Sequence, residues 1–205
     1  MPEKKKKGST IGLHHRIKVI DKKGKVKYDS GEKKSDSFVK NFMACLMNML
    51  SDSHILASIW TDHDGTPRSG SSKTLWVNAG YPVSFAAAAT NVNYGIRVGT
   101  GNTPVTATDV TLDALISHGI GAGQLSYAAM AWIDVVESGA NVDFSCSRSF
   151  TNSSGGTITV AEIDLSIQAG SYYHTIARDV LGAPVAVADD EAIVVEYIWR
   201  TAVTA

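Results

Sequence analysis

Alternating apolar and polar residues near the N-terminus predict two strands. Ile17 and Val19 alternate with basic residues, and Val26 and Tyr28 repeat the alternation after a glycine-containing turn at residues 21–24. A period of two indicates a strand with one covered face, and two such runs around a tight turn indicate a β-hairpin. A lone hairpin is marginally stable in water, so its apolar face is expected to pack on the body of the protein or on a partner.

Helical spacing follows the hairpin. Ser35 and the two residues after it supply N-cap chemistry, and they predict a helix over residues 38–50. Phe38, Phe42 and Leu46 share one stripe, and Met43 and Met47 widen the apolar surface beyond it. An isolated helix of this length is marginal, so it is expected to dock on its own domain or on another subunit.

From residue 92 onward the period of two dominates, and it predicts strands at 94–98, 125–136, 142–150, 158–167, 172–180 and 192–199, with weaker signals at 75–78 and 83–85. Ile158 and Val160 share one parity whereas Ile163 and Leu165 share the other, which predicts a bulge near residues 161–162. Short Gly and Ser turns between the strands favour a mainly β fold, an antiparallel β-sandwich of jelly-roll or other Greek-key type. We divide the chain into a basic N-terminal arm with the hairpin, residues 1–36, and a sandwich domain with one short helix, residues 37–205.

Charge is distributed unevenly along the chain. The net charge of the 205 residues is −1, but residues 1–40 contain 13 of the 19 Lys and Arg residues and five acids, a net +8. The remaining 165 residues contain six basic and fifteen acidic residues, a net −9. A basic arm on an acidic body can bind a polyanion or the acidic body of a neighbouring copy. The alternatives are a solubilising tail and lysines that protect a sheet edge from pairing.

Candidate interaction residues therefore come from the arm, the hairpin and the helix. They are Lys4, Lys5, Lys6, Lys7, Arg16, Lys18, Lys22, Lys23, Lys25, Lys27, Phe38, Phe42, Met43 and Met47.

The predicted strand at 94–98 runs into a glycine loop, Gly99-Thr-Gly101-Asn-Thr-Pro104. A dinucleotide-binding fingerprint needs a third glycine and a helix whose N-terminus meets the phosphates, and neither follows here. We therefore interpret the loop as a plain strand-to-loop connection.

Three segments, read in order, resemble a known family. They are Val98-Gly-Thr-Gly-Asn-Thr-Pro-Val-Thr-Ala-Thr-Asp109, then Ser149-Phe-Thr-Asn152 through Ile158-Thr-Val-Ala-Glu-Ile163, and Ile176-Ala-Arg-Asp-Val180 before Pro184. Together they resemble the runs of tailed-bacteriophage virion proteins of the tail-collar and tail-fibre type, over about residues 90 to 200. Asp164 stands where that family usually has glycine, and no fibre shaft follows Ala205. The resemblance implies a virion structural role.

No catalytic or metal-binding motif has a defensible spacing in the sequence. His63 between Asp62 and Asp64 lacks the further ligands of a cation loop, and it is interpreted as part of an exposed turn. The acids at 189–191 are interpreted as a solvated turn, and Cys45 and Cys146 as free thiols. No apolar run is long enough to span a membrane, and the lysines at the N-terminus precede no signal-peptide core.

These observations predict a non-enzymatic virion structural protein, made in the host cytoplasm, that works in the collar, neck or tail region. It is expected to use no cofactor or metal, to form homo-oligomers and to contact capsid, portal or tail proteins. A capsid decoration protein is the alternative, and a carbohydrate- or nucleic-acid-binding module is a further one. Nucleic acid is the less favoured partner, because the aromatic residues of a base-stacking surface are not interleaved with the lysines.

Overall fold

A computed structural model describes residues 9–35, 38–50, 60–68 and 83–203. This part of the chain is mainly β, with antiparallel sheets and one helix, as the sequence predicts. The strands are β1 (Ser9–Ile20), β2 (Val26–Asp29), β3 (Lys33–Lys34), β4 (Trp60–Thr61), β5 (Pro67–Arg68), β6 (Val83–Ser84), β7 (Gly95–Gly99), β8 (Ser126–Tyr127), β9 (Ala131–Ser138), β10 (Asn141–Thr151), β11 (Ile158–Ala169), β12 (Tyr172–Val187) and β13 (Ala192–Val203). The helix, α1, spans Lys40–Leu50.

The first sheet has seven strands in the order β2-β1-β13-β10-β8, with β3 also paired to β1 and β9 also paired to β10. Its longest pairing joins the two ends of the described chain, because β1 pairs with β13 from Ser9↔Val203 to Ile20↔Ala192. The predicted hairpin is present as β1 and β2, and its strands are part of this sheet. The predicted domain boundary at residue 36 lies outside the described residues.

The second sheet has four strands, in which β11 pairs with β12, β6 and β7, and β4 and β5 form a separate pair. The register of β11 against β12 shifts between Val160 and Glu162, which confirms the predicted bulge. The strand β12 continues past the predicted end at residue 180 to Val187. The predicted strand at 125–136 is divided into β8 and β9. The predicted strand at 75–78 lies outside the described residues.

The hydrophobic core lies between the inner faces of the two sheets. Ile17 and Val195 come from the first sheet, and Ile96, Ile163 and Leu165 come from the second. Each of these side chains is at most 2% exposed, and burying a side chain of this size contributes roughly 1.5–3 kcal/mol. The fold is thus a β-sandwich, and its assignment to the jelly-roll type stays a prediction.

A buried arginine ties the loops beside β7 to the first sheet. Arg148 of β10 is 1% exposed, and its guanidinium lies 4.8 Å from the ring centroid of Tyr127. All five N–H groups donate to backbone oxygens, namely those of Ala128 (2.7 Å), Tyr94 (3.3 Å), Ile96 (3.0 Å), Ala88 (3.0 Å) and Asn91 (2.7 Å). Burial lowers the pKa of Arg148 to about 10.

Two further findings come from the described residues. Cys146 is a free thiol, as predicted, and both cysteines are buried. Burial raises the thiol pKa of Cys45 to about 11 and that of Cys146 to about 12. None of the described helices is long and apolar enough to cross a membrane.

Candidate assembly surfaces

The predicted basic surface is only partly available to a partner. Lys18 and Arg16 lie on the outward face of β1, where Arg16 donates to Asp29 through Nε over 2.8 Å. Lys22 lies 3.7 Å from Asp190, and Lys27 forms an ion pair with Glu191. Lys23 and Lys25 are exposed, whereas Lys4, Lys5, Lys6 and Lys7 lie outside the described residues. Part of the hairpin's positive charge therefore faces the chain's own acidic turn.

The interpretation of residues 189–191 as a solvated turn is wrong for Glu191. This residue is 8% exposed, and besides pairing with Lys27 it accepts a hydrogen bond from the amide of Ala188 at 3.1 Å. These contacts lower the pKa of Glu191, with the hydrogen bond from Lys27 as the largest cause. The acidic turn thus holds the tip of the hairpin against the sandwich.

The aromatic residues of the helix segment pack on the protein's own first sheet. The rings of Phe38 and Phe42 stack at 3.8 Å, and they lie 5.7 and 5.8 Å from the ring of Trp199. Trp199 in turn stacks on Phe144 at 5.7 Å. Met43 points away from this cluster and is 61% exposed, while the side chain of Met47 lies outside the described residues. Of the predicted helix residues that are described, Met43 remains the candidate for contact with a partner.

A further exposed apolar surface lies on β9, outside the candidate residues predicted from the sequence. All eight residues of β9 are exposed, including Trp132 (43%), Ile133 (56%), Val135 (67%) and Val136 (51%). The sequence contains a signal for this surface, because apolar residues occur at both even and odd positions of β9 and therefore on both faces of the strand. That pattern is typical of a strand that is covered on both faces, yet every residue of β9 is exposed, even though the ring of Phe85 lies 4.6 Å from that of Trp132.

Comparison of the chain with protein-family models, with curated proteins and with solved structures gives no match.

The glycine loop after β7 holds a carboxylate of its own chain. Glu162 is fully buried, and it accepts hydrogen bonds from the amides of Gly101 (3.1 Å), Asp113 (3.1 Å) and Ala114 (2.8 Å). A Cβ atom on Gly99 would lie 2.4 Å from Oε1 of Glu162, so a side chain does not fit there. The glycines thus allow the backbone to approach Glu162 closely.

Arg178 completes this cluster. Its Nε donates to Glu162 at 2.9 Å, its Nη1 donates to Asp109 at 2.7 Å, and its Nη2 lies 2.9 Å from Asp113. Burial disfavours the charged guanidinium, but the hydrogen bonds to Asp109 and Glu162 outweigh it and raise the pKa of Arg178. Each of the three segments that carry the family resemblance contributes to this cluster, through Asp109, Glu162 and Arg178.

A second buried polar cluster lies next to the first, on the same face of β11. Arg97 donates to Asp164 through Nε at 3.0 Å and through Nη2. Its Nη1 lies 3.2 Å from Nδ1 of His63, and Ser166 donates to Asp164 at 3.1 Å. The period of two at residues 94–98 is typical of a strand with one covered face, but all five residues of β7 are buried, so that expectation is wrong. The loop at residues 60–68 covers the face that the sequence assigned to solvent.

His63 in this cluster is not placed to act as a base. Burial, followed by the positive charge of Arg97, lowers its pKa to about 2, so the ring is neutral at ordinary pH. A guanidinium can only donate, so Nδ1 of His63 accepts from Arg97 and the ring proton is on Nε2. That nitrogen lies 3.3 Å from the hydroxyl oxygens of Ser166 and Thr175, and it cannot take a proton from either while it carries one. The cluster is therefore not a serine–histidine nucleophile pair.

The turn at residues 62–65 is exposed at Asp64 and Gly65, as predicted, but not at Asp62. Asp62 is 9% exposed, and its carboxylate accepts from the amide of Tyr173 at 3.2 Å. Within the described residues no group of three or more His, Cys, Asp or Glu side chains could hold a metal ion. The turn packs on the outer face of the second sheet and covers its buried polar residues.

Proposed function

We propose that this chain is a non-enzymatic virion structural protein of a tailed bacteriophage, an assembling subunit of the collar, neck or tail region. The observation that supports the proposal is the convergence of the three resembling segments. Asp109, Glu162 and Arg178 come from parts of the chain up to 69 residues apart, and they meet in one hydrogen-bonded cluster. Residues that a family shares for a structural reason are expected to be in contact, and here they fix the loop after β7 to the second sheet.

The proposed subunit is a rigid body with surfaces for neighbours. Three buried arginines lock the loops on the sandwich, and β9 and Met43 expose apolar side chains outside it. Exposed apolar surface on an otherwise polar protein is typical of an interaction site. The N-terminal arm adds four consecutive lysines that can contact acidic surfaces of neighbouring chains. The position of the subunit in the particle is proposed from the resemblance alone.

Cross-linking and mass spectrometry on purified particles test this function. Cross-links from the hairpin lysines to portal or tail proteins are expected. Cross-links to the major capsid protein would instead favour the alternative, a decoration protein on the capsid exterior. If the chain is absent from particles separated by density-gradient centrifugation, both versions are wrong.

Gel shifts test the less favoured nucleic-acid alternative. Because Lys22 and Lys27 face Asp190 and Glu191, the hairpin offers less free positive charge than its sequence suggests. We expect no shift of duplex or single-stranded DNA near physiological salt. A shift whose binding constant falls with salt, so that its logarithm decreases linearly with the logarithm of the salt concentration, would support the alternative.

A further inference from the structure

Strand β9 forms an edge of the first sheet that is exposed along its whole length. Among the described residues it pairs with β10 only, from Asn141↔Ser138 to Ser147↔Ala131. Trp132 lies opposite Cys146 and Ile133 opposite Ser145, so neighbouring apolar residues point to opposite faces of the sheet. An edge strand that is apolar on both faces offers unpaired backbone groups and apolar surface at once.

The other edge of the same sheet has the complementary charge. It is formed by β2 and β3, which pair with β1. Its apolar side chains are Val26, 46% exposed, and Tyr28, 38% exposed. Exposed lysines lie along or beside it at positions 25, 33 and 34, while Lys27 pairs with Glu191 of the same chain. The acids of this edge, Asp29 and Glu32, pair with Arg16 and Arg200 of the same chain. On β9 the charged residues are Asp134 and Glu137, and both are exposed.

We propose that copies of this chain associate head to tail, with β9 of one copy against the β2–β3 edge of the next. The inference rests on the proposed function in one respect, that the occupant of β9 is a second copy of an assembling subunit. The pairing brings Asp134 and Glu137 of one copy toward the lysines of the other, and it covers apolar residues on both edges. Two β9 strands related by a two-fold axis would place the acidic edges against each other, which is unfavourable.

Strand directions determine the form of the contact. Along the path β2, β1, β13, β10, β9 every pairing is antiparallel, so β2 and β9 run in the same direction. A head-to-tail contact that continues the sheet, with the second sheets of both copies on the same side, therefore pairs the two edges in parallel. Such a contact uses two different patches, and it closes into a ring when the rotation per subunit allows it.

Light scattering coupled to size-exclusion chromatography tests the contact on the full chain at tens of micromolar protein. The wild type is expected to have a mass that is a multiple of 21.8 kDa, and higher salt should lower that mass. Val135→Lys puts a charge on the exposed β9 edge, and we expect it to give a single chain of 21.8 kDa. Ile120→Lys is the matched control, because Ile120 is 70% exposed but lies in a loop, and this variant should keep the wild-type mass.

Mixing two variants separates head-to-tail from two-fold association. Val135→Lys leaves the β2–β3 edge intact, and the double variant Lys25→Glu, Lys33→Glu leaves β9 intact. Each should be monomeric alone, and an equimolar mixture should form a dimer with one copy of each. If the double variant Lys25→Glu, Lys33→Glu associates by itself, its intact β9 binds something other than the lysine edge, such as another β9 or an N-terminal arm. The inference is then wrong. A wild type that stays a single chain also overturns it.

The outcomes keep this inference and the proposed function apart. A head-to-tail oligomer that never occurs in phage particles would retain the contact and refute the virion role. If the chain is found in particles but its Val135→Lys variant still oligomerises, the virion role stands and the contact is refuted.

Discussion

The amide of Gly101 donates a hydrogen bond to Oε1 of Glu162 over 3.1 Å, so the glycine loop binds an anion of its own chain. A loop with this glycine spacing invites comparison with phosphate-binding loops, whose amides face a ligand. Here a buried carboxylate occupies the same role, and Arg178 neutralises it. The loop is therefore a structural element that fixes residues 100–114 on the second sheet.

Replacing Gly101 with alanine should destabilise the protein. The added Cβ would lie 2.5 Å from both Cβ of Asp113 and Oε1 of Glu162, and overpacking of this kind costs about 1–3 kcal/mol. Urea unfolding followed by fluorescence measures the change. Gly182→Ala is the matched control, because a Cβ there meets nothing within 4 Å, and its effect should stay within about 0.5 kcal/mol. Equal effects of the two substitutions would contradict the described packing of the loop.

Arg148→Met should be one of the most damaging single substitutions. It removes five hydrogen bonds and leaves backbone oxygens of two loops without donors, which costs about 3 kcal/mol or more in free energy of unfolding. Arg16→Met makes the same chemical change on the outward face of β1, where solvent weakens the ion pair with Asp29, and its cost should be much smaller. Chemical denaturation of both variants compares the costs. A loss of similar size for both would show that Arg148 does not hold the loops.

Stability should fall as the pH drops below the ordinary pKa of histidine. His63 has a folded pKa of about 2 against 6.5 for the free group. The unfolded chain therefore takes up a proton that the folded protein excludes. For this residue alone the free energy of unfolding should decrease by about 1 kcal/mol between about pH 7.5 and about pH 5.5. Buried His174, whose pKa is also lowered, adds to the same trend.

The substitution His63→Gln tests whether His63 causes this dependence of stability on pH. The variant should lose the part of the pH dependence that comes from His63 and keep the part from His174. Unfolding midpoints in urea at the two pH values provide the measurement. An unchanged pH dependence in the variant would mean that His63 is protonated as readily in the folded protein as in the unfolded chain.

The sequence predicts the elements whose determinants are local. Alternation gives β1, β2 and β11, helical spacing of apolar residues gives α1, and the change of parity after Val160 gives the bulge. The predicted capping role of Ser35 is wrong, because its hydroxyl donates to Asp179 and α1 begins only at Lys40. In each case the side chains that decide the structure are neighbours along the chain.

Burial on the outer face of the second sheet could not be predicted in this way. Glu162, Asp164 and Ser166 alternate with apolar residues as they would on a solvated face, yet each is fully buried. The covering groups come from distant segments, with His63 lying 103 residues from Ser166 along the chain. The edge position of β9 is likewise set by the strand order, which no local pattern specifies.

The proposed role of the chain as a building block of a phage particle is tested most directly by an electron cryo-microscopy map of the intact particle. The account predicts density for several copies of this two-sheet body around a symmetry axis of the collar, neck or tail. Neighbouring copies should meet with β9 facing the lysine-bearing edge of the next. A map in which every density of this size is fitted by other chains would contradict the account.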